Sequence, residues 1–332
     1  MIITKLFFII SLFCCSWNCF AQDIVTPNVG EGAMIASLRE AIDSNDLISS
    51  SQYKIIIGAG ISGAEAFKNQ SNLNEIHLLL TWQWLDNLKY IDSNTIVVVP
   101  RHAIDERFEV LKDKGIKLIS ISGVLHQKTR SKLHNEPVDK INPLTRYIVM
   151  LAGDTQREDG EWVKYDREML KELLEFLPRE QNILILNGPR TGKYLEDTNK
   201  IHVNAHKTET DYITSAVQKE NVQKWQVVDF KYGQKSLWDA ALHFCMIYPK
   251  VGLILPGEST SMISEALSLG ILPIIYVHAA MTPTSYKYIE ILKNEGRILG
   301  YPKGLNTLYY AQDPIENQIE KIVRSLISFM NR

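Results

Sequence analysis

The sequence lacks the features that mark several classes of protein. Outside residues 1–22 its only cysteine is Cys245, so that part of the chain has no second cysteine with which to form an intramolecular disulfide. The 36 basic and 38 acidic residues nearly balance, and the net charge of −2 gives no electrostatic sign of a nucleic-acid partner or an anionic membrane surface. No pair of histidines has the spacing of zinc ligands, so we expect no metal site.

The apolar and aromatic content is sufficient for sizeable hydrophobic cores. Hydrophobic residues make up 45% of the chain and charged residues 22%, with six tryptophans and fourteen tyrosines. This composition is typical of globular proteins and excludes disorder and coiled coil. A length of 332 residues favours about two domains.

Residues 1–22 differ from the rest of the chain. Lys5 is their only charge, and the segment from Leu6 to Phe13 is almost wholly apolar. The segment ends at Ala21 in an imperfect small-residue cleavage signal. We therefore expect a secretory signal peptide, an exported (periplasmic or secreted) protein and no stable membrane insertion after the signal is removed. An uncleaved anchor is the alternative, although the apolar run is short for a bilayer span of about 20 residues.

Two series of apolar strands alternate with helices along the remaining sequence. Strands that are apolar throughout favour parallel sheets covered on both faces. The pattern predicts an α/β fold with two Rossmann-like domains whose parallel sheets face a cleft. A polar segment with two prolines, 131–143, is interpreted as the linker. The expected divisions are an N-terminal domain (23–142), a C-terminal domain (143–313) and a helix packing back on the body (314–332).

Two glycine-rich loops are similar to nucleotide-binding motifs but depart from them. Gly58–Gly63 has the G-x-G-x-x-G spacing, yet the next predicted strand ends in Thr81-Trp82, where a dinucleotide site requires an acid. A tight turn is therefore favoured over NAD or FAD binding. The loop at 188–193 is one residue short of a P-loop. Its Arg190 and Lys193 are candidates for holding a phosphate, and a solvated loop is the alternative.

The segment after the predicted strand 251–255 is the strongest local signal for a ligand. The hydroxyl residues Ser259, Thr260 and Ser261 open a predicted helix whose free N–H groups and dipole favour a phosphate. Glu265 follows within the helix and is a candidate acceptor for ribose hydroxyls. The alternative is ordinary capping of the helix by a hydroxyl, with no ligand.

His102 and Asp105 follow the predicted strand 95–99. They are candidates for a general base and the carboxylate that orients it. A loop with an aspartate at a helix start is the alternative. His126, after the next strand, has the same two interpretations.

These segments together carry a resemblance to the mitochondrial fission protein family named for the plant elongated-mitochondria factor, and more distantly to GT-B glycosyltransferases. The resemblance extends over most of residues 30–300. Its motifs are the glycine-rich helix start at 30–41, the strand and loop at 55–60, Val97–His102, Gly123–Thr129 and, most specifically, Ser261–Ala266. The GT-B likeness implies a nucleotide-sugar co-substrate bound in the C-terminal domain and no required metal or other cofactor. The implied function is that of a metal-independent glycosyltransferase. A non-catalytic protein that recruits a protein partner, such as a fission factor, is the alternative.

Overall fold

The computed structural model describes residues 29–331, except 69–71, 73, 127, 157–161, 189–190, 192–193, 196–199, 202–211, 231–234 and 308–311. The predicted signal peptide, residues 1–22, and the candidate phosphate-binding residues Arg190 and Lys193 lie outside the described residues.

The strands form two parallel sheets and two short antiparallel pairs. In chain order they are β1 (Lys54–Ala59), β2 (Glu75–Leu80), β3 (Thr95–Pro100), β4 (Lys117–Ile121), β5 (Thr145–Met150), β6 (Thr155–Gln156), β7 (Trp162–Val163), β8 (Asn182–Leu186), β9 (Tyr194–Leu195), β10 (Lys200–Ile201), β11 (Trp225–Val228), β12 (Gly252–Pro256), β13 (Pro273–Tyr276) and β14 (Leu299–Gly300). Every strand predicted from apolar runs is present, with ends shifted by no more than two residues. The two-residue strands β6, β7, β9, β10 and β14 were not predicted, because they are too short to leave a periodic signal.

The helices lie between the strands and at both ends of the described chain. They are α1 (Val29–Asp43), α2 (Asp46–Ser49), α3 (Gly60–Ala66), α4 (Glu109–Asp113), α5 (Arg130–Leu133), α6 (Arg167–Glu175), α7 (Tyr212–Lys219), α8 (Trp238–Ile247), α9 (Thr260–Ser268), α10 (Pro283–Asn294) and α11 (Gln318–Met330). Within the described part of the chain, no helix combines the length and the apolar character needed to cross a membrane.

The first sheet has the order β1-β2-β3-β4 with all strands parallel. Its strands are apolar throughout because both faces are covered. Ile57, Leu78 and Val98 pack under α1 and the C-terminal helix α11. Leu79 and Val97 point to the other face, where they pack with residues of the α3 and α4 side. Alternate residues of one strand therefore belong to two different cores, as the period of two requires.

The second sheet has the order β11-β8-β5-β12-β13-β14, and all its pairs are parallel. Numbered by appearance within this sheet, the order is 3-2-1-4-5-6, which is the Rossmann order. The direction of winding reverses between β5 and β12. In open sheets of this kind, ligands bind in the crevice outside the carboxyl ends of the strands at that switch point. The structure is thus α/β with two parallel sheets.

The segment 131–143, which the sequence analysis assigned as a polar linker, contributes to a core. Leu133 and Ile141 are 2% and 3% exposed and pack in the same cluster as β5 and β12 residues. Arg130, in α5, also donates to the carbonyl of Leu269 at 2.8 Å. Isolated apolar residues in a polar segment carry no periodicity, so only the packed structure shows that they are buried.

Helix α10 was not predicted, although the sequence holds its start signal. Thr282 is the N-cap, and its hydroxyl accepts a hydrogen bond from the N–H of Ser285 at 3.2 Å. Pro283 occupies the first turn, where its missing N–H costs nothing. This helix matters for the site because it faces the first sheet.

Candidate functional site

The carboxyl end of the first sheet meets helices that follow strands of the second sheet. Arg101, just after β3, makes a bidentate ion pair with Glu295 at the end of α10, with N···O distances of 2.5 and 2.6 Å. Lys287 of α10 donates to the carbonyl of Ile104 at 3.0 Å. The loop after β3 therefore lies against α10.

Gly123, just after β4, packs tightly against α9 of the other half of the chain. Its φ is +77°, and a Cβ added there would lie 2.0 Å from Oγ of Ser264 in α9. The Val124 N–H donates to the same Oγ at 3.1 Å, and Tyr288 OH lies 3.2 Å from it. The segments 123–129 and 261–266, which carry the family resemblance, are thus in direct contact.

The start of α9 carries the three hydroxyl residues predicted to hold a phosphate. Ser259 is the N-cap residue, but its side chain makes no capping hydrogen bond. Simple capping by Ser259, the alternative weighed from the sequence, is therefore not what the structure contains. Ser261 is exposed, and Ser259 and Thr260 are half-buried. The helix begins directly after β12, beside the switch point of the second sheet.

A buried acid–histidine pair lies at this same switch point. Nε2 of His278 is 2.6 Å from Oε2 of Glu258, and the two side chains are 1% and 3% exposed. The N–H of Gly153, after β5, donates to Oε1 of Glu258 at 3.3 Å. The Ala280 N–H donates to Nδ1 of His278 at 3.3 Å, so Nδ1 is an acceptor and Nε2 carries the proton given to Glu258.

Sequence reasoning missed His278, although a signal for it exists. Glu258 and His278 each stand two residues beyond neighbouring parallel strands, β12 and β13. The carboxyl ends of adjacent parallel strands share one edge, so these positions come together. The period of the apolar residues carries no information about this pairing, because the pairing depends on which strands are neighbours in the sheet.

Glu265 lies in the interface between the two halves of the chain. Its Oε2 accepts a hydrogen bond from the indole N–H of Trp238 at 2.5 Å. Burial raises the pKa of this carboxyl, whereas the Trp238 hydrogen bond and the nearby Lys128 lower it. Lys128 itself is ion-paired with Asp239. A ribose hydroxyl at Glu265, as the sequence predicted, would share the carboxylate with this existing bond.

His102 and Asp105 are not partners in the structure. Asp105 caps a short 3-10 helix through the N–H of Arg107 and forms an ion pair with the Arg107 guanidinium, including Nε contacts of 3.1 Å to both carboxylate oxygens. The carboxylate predicted to orient His102 is therefore held by Arg107 instead. A charged neighbour two residues away competes more strongly for Asp105 than an imidazole does.

His102 is buried and has an unused ring nitrogen. The residue is 5% exposed, and Nδ1 has no hydrogen-bond partner among the described residues. Its ring lies 4.6 Å from that of Tyr288. Burial, with smaller contributions from Lys287 and Arg101, lowers the pKa of His102 to about 4. The imidazole is therefore neutral at pH 7 and able to accept a proton.

The glycines of the Gly58–Gly63 loop are accounted for by packing. A Cβ on Gly63 would lie 2.7 Å from the carbonyl carbon of Gly58, and one on Gly58 would lie 2.9 Å from Cα of Gly63. Gly60, with a φ of +57°, begins α3. Because β1 and α3 approach so closely, the motif is explained without a bound dinucleotide.

We expect the buried His102 and the half-buried His126 to make stability depend on pH. Burial also lowers the pKa of His126 to about 4, against 6.5 for an exposed histidine. The unfolded chain therefore binds more protons than the folded chain between pH 6.5 and about 4, so the free energy of unfolding falls as pH drops through that window. A difference of this size corresponds to about 3 kcal/mol for each of His102 and His126.

The measurement is urea unfolding at several pH values. His102→Leu and His126→Leu should each flatten the pH dependence below pH 6.5. His134→Gln, at an exposed histidine, is the matched control and should leave the slope as it is in the wild type. The same pH dependence of the free energy of unfolding in all three variants would contradict the lowered pKa values of His102 and His126.

The geometry thus brings His102, the 259–261 helix start and Glu265 to the meeting edges of the two sheets, together with the unpredicted Glu258–His278 pair. Comparison of the chain with protein-family models and with curated proteins finds no match.

Proposed function

We propose that this chain is a metal-independent glycosyltransferase of the GT-B type, similar to the mitochondrial fission family, that binds a nucleotide-sugar donor in the crevice between the two sheets. One observation carries the proposal. The 3-2-1-4-5-6 order of the second sheet puts its switch point beside the start of α9, where the Ser259 side chain makes no capping bond. A helix start at a switch point is a favourable seat for a diphosphate.

The donor diphosphate would lie at the start of α9. The helix dipole supplies the equivalent of about half a positive charge there, and the hydroxyls of Thr260 and Ser261 add donors. Arg190 and Lys193, which follow β8 in the sequence, would add cationic charge. The neighbouring Glu258 carboxylate bears a negative charge, but its hydrogen bonds from His278 and Gly153 offset part of that charge.

The transfer step would use His102 as the base. The acceptor hydroxyl oxygen forms a bond to the anomeric carbon while the bond from that carbon to the diphosphate oxygen breaks. The proton of the hydroxyl passes to His102, which is neutral at pH 7 because burial lowers its pKa to about 4. The nucleoside diphosphate leaves with the bonding electron pair, and the start of α9 stabilises its charge.

Calorimetric titration with UDP-, GDP-, ADP- and CMP-sugars tests donor binding. We expect one donor to bind, and Ser261→Ala to weaken it about tenfold, because a hydrogen bond to a charged group is removed. Ser268→Ala is the matched control, since this serine lies at the other end of α9 and donates to the carbonyl of Glu265 at 2.8 Å. No binding across the panel, or equal losses in both variants, would contradict the proposal.

A non-catalytic binding protein is the second candidate, and one observation favours it. Asp105 is paired with Arg107, so His102 lacks the orienting carboxylate that many catalytic histidines have. Release of nucleoside diphosphate from the bound donor separates the two candidates. Release that is lost in His102→Leu supports transfer or hydrolysis, whereas donor binding without any release supports the non-catalytic protein.

A further inference from the structure

A cavity lies next to His102, where the loops of the first sheet meet α10. Its volume is about 360 Å³, within the range of small-molecule sites. The loops after β2 and β3 form one wall, and the first turn of α10 forms the other. The lining residues used below are Trp84, His102, Asp105, Arg107, Thr284 and Lys287.

The charges around this cavity are predominantly positive. Lys287 and Arg107 contribute two positive charges, and Asp105 contributes one negative charge that is already ion-paired with Arg107. The first turn of α10 adds the positive end of a twelve-residue helix dipole. Lys287 and the start of α10 would therefore attract an anion that enters the cavity. Asp105 repels such an anion less than an unpaired carboxylate would, because it is already ion-paired with Arg107.

His102 forms part of the wall of this cavity. A polar side chain that is 5% exposed normally has hydrogen-bond partners, because burying it without them is costly. Nδ1 of His102 has none among the described residues, and the residue lines the cavity. Nδ1 is itself shielded from solvent, so a ligand in the cavity would contact other atoms of the imidazole ring.

Trp84 gives the cavity an apolar wall. The indole is half-buried and is held edge-on against Phe108, with a ring separation of 5.3 Å. A flat aromatic surface opposite cationic and helix-terminal groups suits a ligand with one apolar face and one anionic group. A monosaccharide that bears an oxyanion has this combination and a suitable size.

We propose that this cavity binds a monosaccharide bearing a phosphate or carboxylate, with Lys287 holding the oxyanion. The inference goes beyond the proposed function and does not depend on it, because the cavity lies on the first sheet's side and needs no nucleotide. If the chain is a transferase, this ligand occupies the acceptor side next to His102.

The test is titration of the full chain, without nucleotide, with glucose 6-phosphate, glucuronate and glucose, followed by calorimetry. We expect at least one of the two anionic sugars to bind at least tenfold more tightly than glucose, and the stronger of the two identifies the oxyanion. Inorganic phosphate alone should bind at least tenfold more weakly than glucose 6-phosphate. Failure of every anionic sugar to bind at millimolar concentration, or equal binding of glucose, would overturn the proposal, and so would equal binding of inorganic phosphate.

Variants on α10 localise the binding. Lys287→Gln should weaken the anionic sugar at least tenfold, whereas Lys287→Arg should retain the affinity within about threefold, since it keeps the charge. Lys293→Gln is the matched control, because this exposed lysine of the same helix pairs with Glu290 and does not line the cavity. Equal affinity of Lys287→Gln and wild type would place the ligand elsewhere and overturn the assignment. Ser261→Ala should leave this binding unchanged, which separates it from the donor site.

Discussion

Replacing Gly123 with alanine is expected to lower the free energy of unfolding by about 3 kcal/mol or more. A positive φ costs a residue with a Cβ about 1–2 kcal/mol, and overpacking adds about 1–3 kcal/mol. The new Cβ would stand 2.0 Å from Oγ of Ser264 and 2.8 Å from OH of Tyr288. Ser264 has little freedom to move away, since its hydroxyl donates to the carbonyl of Thr260 at 2.6 Å.

Gly115→Ala is the matched control for this variant. Its φ of +72° is nearly the same, but nothing lies within 4 Å of a Cβ placed there. We expect it to cost only the conformational part, about 1–2 kcal/mol. Urea unfolding of both variants measures the difference, and adding Ser264→Ala to Gly123→Ala should recover part of the loss. Equal destabilisation by the two glycine substitutions would show that the two halves do not meet at Gly123.

Replacing Glu258 with alanine is the second variant with a large expected effect. It removes the acceptor for the His278 proton and for the Gly153 N–H, both in a buried environment. Leaving a buried donor without its acceptor costs about 1–3 kcal/mol, and this variant leaves two such donors, the His278 and Gly153 N–H groups. Glu258→Gln keeps an acceptor oxygen and should cost less.

An exposed pair on α10 provides the comparison for Glu258. Glu290 and Lys293 are 3.4 Å apart, and both side chains are more than 60% exposed. Glu290→Ala should cost less than about 1 kcal/mol, because water screens the pair. Guanidinium unfolding of the three variants provides the measurement. A loss from Glu258→Ala as small as that from Glu290→Ala would mean that the buried pair does not hold the switch point together.

Both large effects concern positions that adjoin α9. Gly123 sets how closely the first sheet approaches α9, and Glu258 joins the loops after β5, β12 and β13 through its bonds with Gly153 and His278. Substitutions at Gly123 and Glu258 are therefore expected to change the affinity for a donor bound at the start of α9, although neither residue was predicted to contact the donor. Donor affinity in Gly115→Ala should remain that of the wild type, since Gly115 lies far from these contacts in the α4–β4 turn.

The strands could be predicted because each is an uninterrupted apolar run between polar residues. Ile55, Ile56 and Ile57 point alternately to two covered faces, and all three are buried. The helix start at Ser259–Ser261 was also predictable from local sequence. In the first case the physical cause is the burial of a repeating apolar pattern, and in the second it is the free end of a helix. Each cause acts over a few neighbouring residues.

The pairings of polar side chains could not be predicted in this way. Asp105 was expected to orient His102, but Arg107 holds it through a charge-assisted bond. His278 was overlooked because its partner, Glu258, is twenty residues away and becomes a neighbour only when β12 and β13 pair. Helix α10, which forms a wall of the anionic cavity, has its start signal in Thr282 and Pro283.

The amino-acid sequence by itself determined the α/β class, the positions of the buried strands and the polar segments that follow them. These follow from hydrophobic burial and backbone hydrogen bonding, which act locally and leave a period in the chain. Only the tertiary structure decided the strand order of the second sheet, the contact of Val124 with Ser264 across 140 positions, and the partner of each buried charge. Those outcomes depend on contacts between residues that are far apart in the sequence, and a local sequence pattern carries no information about such contacts.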